Sequence, residues 1–230
     1  MSGDLVVIDF GAGNVASMVK ALRKLGASPE IVTTPGAIEQ AARVIVPGVG
    51  AFGAAMTELR KRHLEHAIRG AIERDVPVLG VCIGLQVLFD SSEETSGVAG
   101  LGLLPGSCKR FTGDRGAEPR ESSHGTAAGE RLKVPQIGWN TVKPTASSTL
   151  FRGIPEGSSF YFVHSYHAVP RDPSIVAATA DYGVEYACAF ERRKLAAVQF
   201  HPEKSGKNGL RVLENFLSSG GSAPGPPAAP

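Results

Sequence analysis

Cys82 is flanked two residues to either side by glycine, in the run Pro77-Val78-Leu79-Gly80-Val81-Cys82-Ile83-Gly84-Leu85-Gln86. Here an apolar stretch long enough for one buried strand passes straight into a helix-spaced apolar pattern. That is the nucleophile-elbow pattern with Cys in place of Ser. Glycine relieves the backbone crowding of so sharp a bend, and the bare N–H groups of a helix start favour a thiolate beside them. The same residues also fit a buried core cysteine, because free Cys is among the most buried residue types. The elbow alone does not choose between the two.

A base and an orienting acid stand near the other end of the chain. His201-Pro202-Glu203 follows the apolar run at 195–200. In an extended segment residues i and i+2 share a side, so the imidazole and the carboxylate should project together from the strand's C-terminal end. Open α/β sheets build their sites at that edge. A thiol of ordinary pKa, ~8.5, is little ionised at neutral pH, and a neighbouring imidazole makes the thiolate–imidazolium pair accessible. The carboxylate then holds the imidazole tautomer and offsets its charge. Gly48-Val49-Gly50, after a strand-like run at 43–47, leaves backbone N–H groups bare, as an oxyanion hole requires. Taken singly, each feature is equally a turn, a cap or a core residue. Together in one short chain they favour Cys82 as nucleophile, His201 as base and Glu203 as orienter.

The elements that must position these groups read as an α/β fold. An open, mostly parallel central sheet is flanked by helices and followed by an antiparallel C-terminal portion. Residues 5–9, 31–32, 43–47 and 77–82 are strand-like. Helical spacing runs over 15–25 and over 54–74, the latter read as one helix with His63 and His66 on a solvated charged face. The elbow helix is expected to continue through Phe89 and to end at 90–94. Short strands then follow at 107–111, near Val142, and at 159–163, 166–169, 175–177, 186–190 and 195–200. Cys108 and Cys188 fall within them, Cys188 as packing. A last helix spans 208–217. The expected organisation is one domain over 1–217, with a polar surface excursion at 112–131 that carries His124 and a disordered tail at 218–230.

Composition narrows the function classes. The chain has 230 residues, 42% of them hydrophobic, and a net charge of +2. No basic run suggests a nucleic-acid groove, and no apolar stretch suggests a membrane span. Three widely spaced cysteines argue against a disulfide framework and for a reducing cytoplasm, and without a CxxC pair a structural zinc site is not expected. Gly11-Ala12-Gly13-Asn14-Val15-Ala16 formally matches the dinucleotide fingerprint. Its ribose-binding acid would have to be Glu30, which precedes Ile31-Val32 and so lies at the wrong edge of the sheet. The segment otherwise reads as a tight turn or as a subunit contact through Gly11 and Asn14.

Gly80-Val81-Cys82-Ile83-Gly84-Leu85-Gln86 with His201-Pro202-Glu203 resembles the class I, triad-type glutamine amidotransferases over residues 5–217. Pro47-Gly48-Val49-Gly50-Ala51-Phe52-Gly53, Gly138-Trp139-Asn140, Tyr161-Phe162-Val163-His164-Ser165-Tyr166 and His201-Pro202-Glu203-Lys204-Ser205-Gly206 look like the glutaminase subunits of imidazole glycerol phosphate synthases. Two departures are Gln136, where the family commonly has His, and the length of the 112–131 excursion. The resemblance implies that Cys82 attacks the side-chain amide of L-glutamine. The N–H of Ile83 and one from Gly48, Val49 or Gly50 would hold the oxyanion. It implies that Gln86 and Glu94 grip the polar end of glutamine, with backbone contacts from Ser165 and Tyr166. It also implies no cofactor, and transfer of ammonia to a separate (β/α)8-barrel cyclase subunit of histidine synthesis. Anthranilate- or pyridoxal-phosphate-type acceptors are the competing assignments.

Overall fold

Leu5 and Val7 point into one core and Val6 and Ile8 into another, which is why the first strand reads as an unbroken apolar run. The computed structural model describes residues 4–11, 13–112 and 132–219. Its first half comprises β1 (Leu5–Ile8), α1 (Val15–Lys24), β2 (Glu30–Val32), α2 (Pro35–Glu39), β3 (Arg43–Gly48), α3 (Phe52–Lys61), α4 (Leu64–Glu73), β4 (Val78–Cys82), α5 (Ile83–Gln86) and β5 (Phe89–Ser92). The second half adds β6 (Leu104–Arg110), β7 (Gln136–Pro144), β8 (Ser159–His164), β9 (Tyr166–Pro170), β10 (Val176–Asp181), β11 (Glu185–Arg192), β12 (Leu195–Val198) and α6 (Gly206–Ser218).

Nine strands form one sheet in the order β2-β1-β3-β4-β12-β11-β10-β7-β8. The first five are mutually parallel, and the remaining pairings are antiparallel. A smaller sheet, β5-β6-β9, sits beside it. Helices α3 and α4 bury Met56, Leu59, Leu64 and Ile68 against one face of the large sheet. Helices α1 and α6 bury Met18, Leu22, Val212, Leu213 and Phe216 against the other. The expected α/β architecture, parallel first and antiparallel later, is the one observed. The decisive pairing is β4 with β12, parallel and with Val81 opposite Val198. It sets the C-terminal ends of the elbow strand and the His201 strand side by side.

Three local readings change. The helix expected over 54–74 is two helices, broken at His63, which has φ 56°. Leu59 and Leu64 are both fully buried. Five residues apart in one helix they would diverge by about 140°, so the break restores the phase that buries both. The elbow helix is a single turn rather than a helix reaching Phe89. The carbonyls of Val87, Leu88, Phe89 and Asp90 accept instead from the N–H groups of Leu101, Leu103, Leu104, Gly102 and Gly100, which draws 89–92 into β5. α2, with Pro35 at its start, carries too weak a pattern to be read beforehand. The expected excursion at 112–131, including His124, lies outside the described residues from 113 onward, as does the expected tail from 220.

Candidate active site

Cys82 is the last residue of β4 and the cap of α5, with φ 55° and ψ −110°. Positive φ costs a non-glycine residue energy and persists only where the surroundings over-determine it. Here they do. A Cβ on Gly84 would lie 1.7 Å from the Val46 carbonyl oxygen of β3, and one on Gly80 would lie 2.6 Å from the Gly84 carbonyl oxygen. No other residue allows the strand and helix to close so tightly, and the bend rotates Cys82 out of the strand. The thiol lines a cavity of about 240 Å³ with Val49, Gly50, Ile83, Gln86, Glu94, Pro135, Ser165 and Tyr166 among its walls. That is small against the roughly 300–1,000 Å³ of drug-sized sites and suits an amino acid. Cys108 and Cys188 are fully buried elsewhere, and burial pushes both thiols well up from their ordinary range.

His201 stands just beyond β12, on the strand adjacent to the elbow. Its Nδ1 lies 2.8 Å from Glu203 Oε1, and both side chains are nearly inaccessible. The pairing was expected from alternation along an extended segment, but the geometry is different. Residues Pro202–Lys204 form a 3-10 turn. The proline ring presets the φ that starts it, and the turn folds Glu203 back under the imidazole. Ser205 Oγ donates to the His201 carbonyl at 2.7 Å and accepts from the Tyr161 N–H at 3.0 Å, while the His201 N–H donates to the Tyr161 carbonyl at 2.9 Å. The base is thus strapped to β8 on both sides.

His201 Nε2 is buried with no hydrogen-bond partner in bonding geometry, and so is Glu203 Oε2. Burial acts to lower the His201 pKa, but the adjoining Cys82 sulfur and the Glu203 carboxylate outweigh it and raise it to about 9. A histidine that prefers its proton beside a sulfur is the electrostatic partner of a thiolate.

The remaining expected residues converge on the same place. Gly48 lies directly across the β3–β4 pairing from Cys82, and Gly50, which adopts φ +102°, lines the cavity with Val49. Glu94 Oε2 accepts from the N–H of Phe52 at 2.6 Å, so it also fastens the far end of that loop. Gln86, which is buried, donates from Nε2 to the Tyr166 carbonyl and to Gln199 Oε1, both at 3.1 Å. Gln136 is buried and accepts from the Tyr186 hydroxyl at 2.9 Å. It therefore serves the wall rather than the cavity.

Gln199 and His164 were not singled out beforehand. Gln199 donates to Cys82 Sγ at 3.8 Å, and His164 Nδ1 lies 2.8 Å from the Tyr166 carbonyl oxygen. Gln199 had only its place in a strand as a signal, and His164 stood within the family-like run at 161–166 without a role of its own. The dinucleotide alternative is not supported. Glu30 opens β2 at the N-terminal edge of the sheet, and Asn14 caps α1 by accepting from the Ser17 N–H.

The comparisons with known proteins agree with this geometry. The family described as glutamine amidotransferase class-I matches residues 6–219. The imidazole glycerol phosphate synthase subunit HisH of Moorella thermoacetica is 49% identical over 92% of this chain and 93% of its own. The chain belongs to the class I glutamine amidotransferase family, in its HisH group. The HisH subunit of Methylococcus capsulatus is 47% identical over 93% of this chain and 95% of its own. Among solved structures, PurLQS from Thermotoga maritima superposes with a TM-score of 0.69 at 18% identity, covering 94% of this chain and 98% of that one. That likeness speaks for the fold of this amidotransferase.

Proposed function

We propose that this chain hydrolyses L-glutamine through a Cys82–His201–Glu203 triad and passes the ammonia to a cyclase partner in imidazole glycerol phosphate synthesis. The observation that carries the chemistry is the strained Cys82 at the elbow, on the strand next to the one that delivers the buried His201–Glu203 pair. The Cys82 thiolate attacks the side-chain amide carbon. The C–S bond forms and the carbonyl electrons move to oxygen, where the N–H of Ile83 and an N–H of the Gly48–Gly50 loop stabilise them. His201 gives its proton to the leaving nitrogen as the C–N bond breaks, releasing ammonia and a γ-glutamyl thioester. His201 then takes a proton from water, the resulting hydroxide adds to the thioester, and sulfur leaves with glutamate released. Glu203 holds the imidazole tautomer throughout. Gln86, Glu94 and the backbone of Ser165 and Tyr166 hold the α-amino and carboxylate end.

No cofactor enters this sequence. Among the described residues no cluster of three or more His, Cys, Asp or Glu is placed to hold a metal. The partner in this reading is a (β/α)8-barrel cyclase in a heterodimer. Exposed Ile137 and Trp139 on one face of β7 and exposed Val49 at the cavity mouth are the apolar surface offered for it. Nucleic acid and membrane are not partners in this reading, and among the described residues no helix is long and apolar enough to cross a membrane. With all three cysteines unpaired, the cytoplasm is the compartment proposed. One amidotransferase domain over 1–217 suffices for the glutaminase step. Relatives that bear the HisH name favour this acceptor over anthranilate or pyridoxal phosphate types.

The test is Cys82→Ala. Glutamate release, assayed with the cyclase subunit and its nucleotide ligand present, should fall to background while binding to the cyclase is retained. Near-parental glutamate release from the variant would sink the nucleophile assignment.

A further inference from the structure

We infer that Gln199 is a positioning residue: it holds an N–H donor on Cys82 Sγ and turns the Gln86 side-chain oxygen toward the substrate cavity. The inference rests on Cys82 being the nucleophile. Gln199 is 1% exposed and lies on the segment between β12 and His201.

The polarity of the connection is set from the Tyr166 carbonyl, which can only accept. Gln86 Nε2 donates to it at 3.1 Å, and His164 Nδ1, at 2.8 Å from the same oxygen, must carry its proton there. The second Gln86 N–H runs to Gln199 Oε1 at 3.1 Å. With its oxygen committed to that bond, Gln199 presents nitrogen on its other branch, and that nitrogen is 3.8 Å from Cys82 Sγ. Reversing either amide would set donor against donor or acceptor against acceptor inside a buried site, which is costly. A backbone carbonyl thus decides the sign of a contact on the sulfur.

Two consequences follow from that sign. A donor on sulfur favours the thiolate over the thiol. In addition, both Gln86 N–H groups are spent, so toward the cavity Gln86 offers only Oε1. That acceptor matches a protonated α-amino group and disfavours a carboxylate at the same spot. Specificity for a free amino acid is therefore written partly by a residue that need not touch it.

Two variants separate the roles. Gln199→Met removes both bonds at nearly constant volume. Gln199→Glu keeps an acceptor for Gln86 but replaces the donor on sulfur with negative charge. The first readout is the pH midpoint of Cys82 alkylation by iodoacetamide on the full chain, with Cys82→Ala as the blank. Both variants should shift the midpoint upward by about one unit. The second readout is glutamine turnover with the cyclase subunit. Gln199→Glu should lower kcat at a near-parental KM, whereas Gln199→Met should also raise KM. A parental alkylation midpoint in Gln199→Glu overturns the inference, and that variant decides alone if Gln199→Met does not fold. Loss of the nucleophile reading would show separately, as glutamate release surviving in Cys82→Ala.

Discussion

The two halves of the candidate triad are held by different physics. On the elbow side, β3, β4 and α5 fix Cys82 by steric exclusion, with Gly84 against the Val46 carbonyl and Gly80 against the Gly84 carbonyl. On the base side, a short polar network holds His201 through Glu203, Ser205 and the backbone of Tyr161. Close-packed backbone has one arrangement and little compliance. Hydrogen bonds can lengthen, exchange and respond to charge. The network also leads outward. The Tyr161 ring lies edge-on to exposed Trp139 with centroids 6.2 Å apart, and Lys204 Nζ sits 5.7 Å from the Tyr161 ring. A partner seated on β7 and β8 would therefore meet the strand that straps the base.

The contrast can be broken most severely at the elbow. Gly84→Ala places a methyl 1.7 Å from a backbone oxygen, far inside van der Waals contact, so the chain should lose about 4 kcal/mol or more of stability, or fail to fold. Thermal melting measures it, and an unperturbed melt would refute steric fixation. On the base side, Glu203→Gln should keep the fold and lower kcat by about a hundredfold or more, because the imidazole loses its charge partner and tautomer control. Steady-state glutaminase assays with the cyclase present measure that loss.

Titration should also distinguish the halves. His164, buried against Tyr186 and Phe162, has its pKa lowered by burial to about 3 from 6.5. Its contribution to stability is whole above the unfolded value of 6.5 and is lost as pH falls toward about 3. His201 runs the other way. Its pKa is raised from 6.5 to about 9, so its contribution is full below 6.5 and is lost as pH rises through about 9. Denaturant melts across pH should show stability falling on both sides of neutrality. The acid limb should flatten in His164→Gln and the alkaline limb in His201→Gln.

Smaller effects probe the strap itself. Ser205→Ala should cost about 1–2 kcal/mol of stability, since the Tyr161 N–H loses its acceptor while the His201 carbonyl keeps only the Lys204 N–H. It should lower kcat severalfold with little change in KM. A parallel rise in KM would mean that Ser205 acts on the cavity rather than on His201. Trp139→Ala, which gives up the ring contact with Tyr161, should cost the isolated chain about 0.5–1.5 kcal/mol. It should also weaken stimulation by the cyclase, read from glutaminase rate against cyclase concentration.

Much of this protein is decided locally and was legible in residue order. The Gly80–Gly84 spacing dictates a strand-to-helix elbow, since the steric demand falls on the residues that name it. The apolar runs at 5–8, 43–48 and 78–82 dictate doubly covered parallel strands. His201 and Glu203 sit near enough in sequence to pair whatever the intervening backbone does, and they pair through a turn rather than a strand. The tertiary structure alone decided what depends on distant segments meeting. It set β12 beside β4, 117 residues away in the Gln199–Cys82 contact. It diverted 89–92 from helix to strand, because the 100–104 segment supplies N–H groups to carbonyls that a helix would have used. It also gave Gln199 and His164 their roles, because the polarity of a buried amide or imidazole follows from the partner it meets, and no local pattern encodes that partner.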